Sequence, residues 1–235
     1  MKITLNAMVF IALALCGACK KESVEGPGGG TGTSNVERVS LLLDYEVGYG
    51  GYLYPVYNPY VFYKNGVVVK EPRIPIDVLN PDRIEEGQAY DWGTWQQEGD
   101  QVNITYADGD TSEKEWPGNS AYPAKKGDTM EGAFSSLSGG GNLAFGGDVG
   151  IISYSSMSFT ADGWYTTEST GGGASSNVAA YHTETTSGRY TFDDDYSITL
   201  TANNGQAQRF FFCWYGADRE GTFRLGGRTF TGDDD

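Results

Sequence analysis

Cysteine, histidine and basic residues are scarce in this 235-residue chain: three Cys, one His and 16 Lys plus Arg stand against 31 Asp plus Glu. Beyond the N-terminal segment one histidine, His182, and one cysteine, Cys213, fall short of the four N or S ligands of a structural zinc site, so no metal or cofactor is expected. A formal net charge of −15 repels phosphate backbones and anionic headgroups, which excludes nucleic acid and electrostatic membrane docking. After Leu15 no run approaches the ~20 apolar residues of a membrane helix. The serines form no Gly-x-Ser-x-Gly elbow. The acids form no Asp-x-Asp-x-Asp-Gly calcium loop, and 139–148 is not a Gly-Gly-x-Gly-x-Asp repeat. Asp193–Asp195 and Asp233–Asp235 therefore read as a polar turn and a solubilising tail.

The one long apolar stretch, Ala7–Leu15, follows Met1-Lys2 and ends in Cys16-Gly17-Ala18-Cys19-Lys20-Lys21. A basic start, an apolar run too brief to span a bilayer and small residues before a cysteine describe an export signal. The segment resembles the lipobox of bacterial lipoproteins, in which a small residue directly precedes the modified cysteine. Ala18 precedes Cys19, whereas bulky Leu15 precedes Cys16, so the resemblance selects Cys19. It implies a signal peptide over 1–18, a palmitate-bearing Cys19 and a membrane contact made by that anchor alone. Lys20, in place of the Asp associated with inner-membrane retention, points to the outer membrane.

Removing 1–18 leaves 15 basic against 31 acidic residues and Cys213 as the single unmodified thiol, so no intrachain disulfide is expected. Cys213 lies in the apolar run Arg209–Tyr215 and reads as a small buried hydrophobe. Residues 20–35 carry one apolar side chain among Gly, Ser, Thr and charge, which makes 19–35 a tether spanning roughly 20–24 Å as a coil. The folded body is expected over 36–235.

That body reads as antiparallel all-β with little helix. Asn65-Gly66 stands between β-prone arms in Val61–Val69, a strong hairpin signal. Val102, Ile104 and Tyr106 alternate with polar residues, as do Ile198 and Leu200, which describes half-buried strands. About two helical turns are expected only over 80–87, from Asn80-Pro81 to Gly87. The glycine-rich stretches 138–142, with Gly146-Gly147, and 171–177 read as loops or bulges.

A pattern recurs within it. Phe62-x-x-Asn65-Gly66, Gly93-x-Trp95, Val102-x-Ile104 and Asp108-Gly109 are followed in the same order by Phe159-x-x-Asp162-Gly163, Gly188-x-Tyr190, Ile198-x-Leu200 and Asn204-Gly205. The first two glycines are 27 and 25 residues apart, the second and last 16 and 17. Two units, about 55–117 and 152–215, are each predicted to be a hairpin, an insertion and a meander with two-residue Asn-Gly or Asp-Gly turns. These motifs resemble the small lipocalin-like domains of bacterial envelope proteins, with Tyr190 replacing Trp in the second copy. Trp92-Gly93-Thr94-Trp95, Gly146-Gly147-Asp148 and Gly227-Arg228 are also similar to segments of uncharacterised bacterial secreted proteins. The expectation is a lipocalin-like barrel or two packed barrel-like halves, with a single body sharing one core favoured because closure removes exposed strand edges.

Seven of the sixteen tyrosines fall between Tyr45 and Tyr63. Tyrosine joins a flat apolar face to a hydrogen-bonding tip, so Tyr49, Tyr52, Tyr54 and Tyr57 are the ligand-binding candidates, for a glycan, a peptide or a small apolar ligand. His182 and Glu184 would share one side of an extended segment, and they carry the alternative reading, an envelope hydrolase using His182 with nearby acids. No complete catalytic constellation is present, and the leading expectation is a non-catalytic, lipid-anchored binding or structural module.

Overall fold

The computed structural model describes residues 35–48, 52–79, 81, 92–141, 150–175 and 179–232. The signal, the tether up to residue 34, the helical turns expected over 80–87 apart from Pro81, and the 233–235 tail lie outside the described residues. All strand pairs are antiparallel and fall into two bodies.

The first is a curled sheet. It contains β1 (Val36–Val47), β2 (Leu53–Tyr63), β3 (Val67–Lys70), β4 (Trp92–Glu98), β5 (Gln101–Tyr106), β6 (Thr111–Glu115) and β7 (Asn119–Ser120). The order across it is β6-β5-β4-β3-β2-β1-β7. The second is a closed eight-stranded barrel of β8 (Gly132–Gly141), β9 (Gly150–Phe159), β10 (Trp164–Ala174), β11 (Ala179–Asp193), β12 (Ser197–Ala202), β13 (Ala207–Trp214), β14 (Thr222–Leu225) and β15 (Arg228–Gly232). Its strands pair in chain order, and Thr231 and Gly232 of β15 meet Ser135 and Phe134 of β8 to close the ring. The favoured single body is thus corrected to two barrel-like halves, one closed and one open.

The duplication is structural as well as textual. The amide of Trp95 donates to the Gly66 carbonyl at 2.9 Å, and that of Tyr190 to the Gly163 carbonyl at 2.9 Å. The polar tip of each ring turns to the residue after the repeat's phenylalanine: Trp95 Nε1 donates to the Tyr63 carbonyl and Tyr190 Oη to the Thr160 carbonyl, both at 3.0 Å. Each ring also meets that phenylalanine edge-on at 5.1 Å, Phe62 with Trp95 and Phe159 with Tyr190. Gly93 and Gly188 lie so close to the neighbouring strand that a Cβ would fall on the carbonyl oxygens of Thr105 and Thr201.

Gly66, Gly109, Gly163 and Gly205 all have φ between 83° and 95° and each donates its amide to the carbonyl three residues earlier. The residue before each keeps negative φ. The turns are therefore three-residue loops closed by a left-handed glycine, not the expected two-residue type, which requires positive φ at both positions. The glycine-rich stretches also differ from expectation where they are described, 138–141 forming the end of β8 and 171–174 that of β10, while 142, 146–147 and 176–177 lie outside the described residues. Neighbours supply the bulk that these positions lack: Gly139, Gly172 and Gly173 pair with Ile152 or Ile151, and the Tyr181 ring occupies the space a Cβ on Gly172 would need.

Aromatic side chains fill the barrel, with Phe134, Phe159, Tyr190, Phe192, Phe212, Trp214, Phe223 and Phe230 in one buried cluster. The concave side of the sheet has its own core of Leu42, Tyr60, Phe62, Val68, Val102 and Ile104, capped by Trp95 and Trp116 stacked at 5.3 Å. A third cluster joins the halves. Val39, Leu41, Val61, Tyr63 and Val69 pack with Phe211 and Cys213 of β13. Phe210, Phe212 and Trp214 alternate with these two and point into the barrel, so β13 is apolar on both faces.

Strand correspondence explains the open half. β1 to β6 match β8 to β13 in order and turn chemistry, and β7 pairs with β1 as β15 pairs with β8. Between β13 and β15 the barrel has β14; between β6 and β7 only residues 116–118 intervene. The sheet lacks one strand, and Lys114 of β6 bridges the gap by donating to the Leu43 carbonyl of β1 at 2.9 Å.

Candidate functional site

The β1–β2 hairpin is longer than the surface that covers it. Its register pairs Leu41 with Pro59, Leu43 with Tyr57, Tyr45 with Pro55 and Val47 with Leu53, all on one face. Leu41 is buried in the cluster between the halves, but beyond it the barrel wall ends. Leu43, Tyr45, Val47, Leu53, Pro55 and Tyr57 continue the same face uncovered, with Tyr45 and Leu53 about two-thirds exposed (65% and 67%). Tyr215, directly after β13, reaches the hairpin here, its hydroxyl donating to the Tyr57 carbonyl at 2.6 Å. Beside the strip lies a cleft of about 410 Å³, bounded by Leu43, Tyr45 and Tyr57 on one side and Lys114, Pro117 and Asn119 on the other.

The tyrosine candidates divide on this geometry. Tyr57 belongs to the apolar face, and Tyr52 stands exposed at the hairpin tip. Tyr54 belongs to the opposite face, where its hydroxyl donates to Glu46 at 3.1 Å; burial and the Glu46 charge both push its pKa up. Tyr49 lies outside the described residues. Sequence reasoning missed Leu43, Tyr45 and Val47. The signal was the alternation Leu43-x-Tyr45-x-Val47 facing Leu53-x-Pro55-x-Tyr57 across Gly48, Gly50 and Gly51.

A charged hub fixes the base of the hairpin on its other face. Buried Asp44 accepts from Lys114 at 2.6 Å through Oδ1, and from Lys70 at 3.0 Å, Tyr60 at 2.9 Å and Asn58 at 3.1 Å through Oδ2. Burial acts to raise its pKa, but the two ammonium groups outweigh it and hold the carboxyl below its ordinary value. Burial acts to lower Lys70, and Asp44 outweighs it, leaving the ammonium raised. Tyr60 is pushed far up by burial and by Asp44, and its hydroxyl meets that of Tyr106 at 3.2 Å. Glu71 extends the network to the barrel, meeting Lys70 at 3.8 Å and the buried Arg224 of β14 at 3.0 Å. The hub's carboxylates, ammonium groups and phenols hold one another, an arrangement that fixes the hairpin and offers no activated nucleophile.

His182 and Glu184 lie on one face of β11, opposite Gly171 and Ser169, and both are exposed. Among the described residues no group of three or more His, Cys, Asp and Glu could hold a metal ion. Cys213 is buried, which pushes its thiol up to about 12. The wide groove at one barrel end, about 1190 Å³ between 127–134 and 218–222, is crossed by the 2.8 Å Arg219–Asp128 pair and otherwise carries the acids Glu131, Asp218 and Glu220. No protein-family model, curated protein or solved structure matches the chain.

Proposed function

We propose that the chain is a non-catalytic binding module of the bacterial envelope, anchored through Cys19, that holds an extended apolar segment of a partner protein along the β1–β2 hairpin. The observation that carries this reading is the continuous uncovered face of Leu43, Tyr45, Val47, Leu53, Pro55 and Tyr57 on a chain of net charge −15. Such a face costs solubility unless something covers it. Aliphatic side chains interleaved with the tyrosines favour a peptide over a sugar ring. The neighbouring edge of β1 adds main-chain capacity: among the described residues its ladder with β7 ends at Leu41, two residues before the strip begins. The aromatic filling of the barrel supports a partner met outside it, although lipocalin-like domains of this kind are associated with ligands held inside.

Photo-crosslinking in intact cells tests the reading. A benzoylphenylalanine at Tyr45 or Leu53 should give one discrete crosslinked species in the membrane fraction, and the same group at Glu46, on the opposite face, should give none. Equal labelling from both faces, or none from Tyr45 and Leu53, removes it. Cys19→Ser should move the protein out of the membrane fraction.

A further inference from the structure

At the barrel end opposite the acidic groove lies a second cavity, of about 500 Å³. Phe210 of β13 and Leu225 of β14 form its floor, and Ile74, from the segment linking β3 to β4, forms an apolar wall. The Arg73 carbonyl accepts from the Phe211 amide at 3.3 Å, which holds that segment against β13. Three arginines, Arg73, Arg209 and Arg228, open onto this space. Arg209 is committed to Asp77 at 3.0 Å and Asp193 at 3.4 Å. Arg73 and Arg228 have no carboxylate partner among the described residues, although acids outnumber bases 31 to 16 along the chain. Arg73 is exposed and lies over Gly227, where a Cβ would sit 3.5 Å from its Nε.

Arg228 is positioned for an anion by hydroxyls. Its Nη1 donates to Ser155 Oγ at 2.6 Å and its Nη2 to Ser153 Oγ at 2.9 Å, and Ser155 is bonded in turn to Ser169 at 2.9 Å. Two of the five guanidinium N–H groups are thereby used and three remain. The serines fix the plane of the guanidinium without neutralising it, so its charge faces the cavity undiminished. A cation pair above an apolar floor is the complement of an oxyanion carried on an apolar body.

We propose that this cavity binds an amphipathic organic anion, its oxyanion held between Arg73 and Arg228 and its apolar portion lying on Phe210, Leu225 and Ile74. The probe is 1-anilinonaphthalene-8-sulfonate, titrated against the full chain carrying Cys19→Ser. Saturable fluorescence is expected, displaced by decanoate or by decyl phosphate, whichever oxyanion the site prefers, and not by decanol at the same concentration. Arg228→Gln and Arg73→Gln should each weaken the probe at least ten-fold, Arg73→Lys should retain most of the affinity, and Tyr45→Ser should leave it unchanged. Arg73 is exposed on a connecting segment, so its variants stay informative if Arg228→Gln fails to fold. Displacement by decanol as effective as by decanoate, a signal lost with Tyr45→Ser, or unchanged affinity in Arg73→Gln overturns the proposal. Because Tyr45→Ser tests the hairpin separately, either proposal can fail without the other.

Discussion

Asp44 shows how far one residue's role depends on contacts that sequence does not display. In the chain it follows three leucines and reads as the polar end of an apolar strand, yet its carboxylate gathers Lys70 and Lys114 from strands 26 and 70 residues away. Asp44→Asn leaves those two ammonium groups facing a neutral amide, and we expect a loss of about 3 kcal/mol in urea unfolding at pH 7. The pH dependence has a definite sign. The folded pKa lies below the unfolded one, so the stabilisation is fully present above the ordinary carboxylate range and is lost as pH falls through the lowered folded value. The difference between wild type and variant should therefore shrink as pH is taken from 7 toward 2; a difference constant over that range would place the effect elsewhere. Cys213 was the more legible case, because an isolated thiol within Phe210-Phe211-Phe212-Cys213-Trp214 has no polar neighbour to expose it. Tyr57 was legible as a surface residue, but Tyr45 was not, since only the hairpin register places the two on one face.

Among the elements, turn residues were the easiest to read and glycine-rich strands the hardest. Asn-Gly and Asp-Gly located all four repeated hairpin turns, because few other dipeptides combine a side-chain acceptor with a residue that enters the left-handed region freely. Gly139 to Gly141 and Gly171 to Gly173 misled for the complementary reason: glycine weakens a strand by itself, and the bulk that compensates sits on neighbours distant in sequence. Glycines in strands here have different physical roles, and substitution separates them. In Gly188→Ala the new methyl meets the Thr201 backbone, which cannot yield without opening the β11–β12 ladder, and a loss of about 2–3 kcal/mol is expected. At Gly171 nothing lies within 4 Å of the added carbon and φ is ordinary, so Gly171→Ala should be neutral or stabilising by up to about 1 kcal/mol. Thermal unfolding of the two variants side by side reads both, and equal losses would show that close approach is not what Gly188 provides.

For the molecule as a whole, the apolar runs Leu41-Leu42, Tyr60-Val61-Phe62-Tyr63 and Val67-Val68-Val69 carried more information than their composition revealed. Unbroken apolar runs mark strands buried on both faces, and these lie between the concave core of the sheet and the barrel wall. Partition of the repeats into one closed and one open half was not legible, because it depends on a strand whose absence leaves no motif. The shared wall has a thermodynamic consequence. Phe211→Ala removes a ring buried between the halves and should cost about 3–5 kcal/mol. It should lower the denaturation midpoints of sheet and barrel together, with Cys213 becoming reactive toward a thiol reagent in the same transition; two separated transitions would mean that the halves hold independently.

The missing strand leaves the sheet with two unlike margins. β6, Thr111-Ser112-Glu113-Lys114-Glu115, meets solvent with alternating charge, the composition by which natural sheets deter a foreign strand. β1 past Leu41 presents Leu43, Tyr45 and Val47 with no such deterrent, and Lys114 reaches across to a single carbonyl. One border of the sheet is guarded and the other is left open, so any chain that joins this protein by strand addition has its side, its direction of approach and its first rival for a hydrogen bond already set by the sheet's having one strand fewer than the barrel.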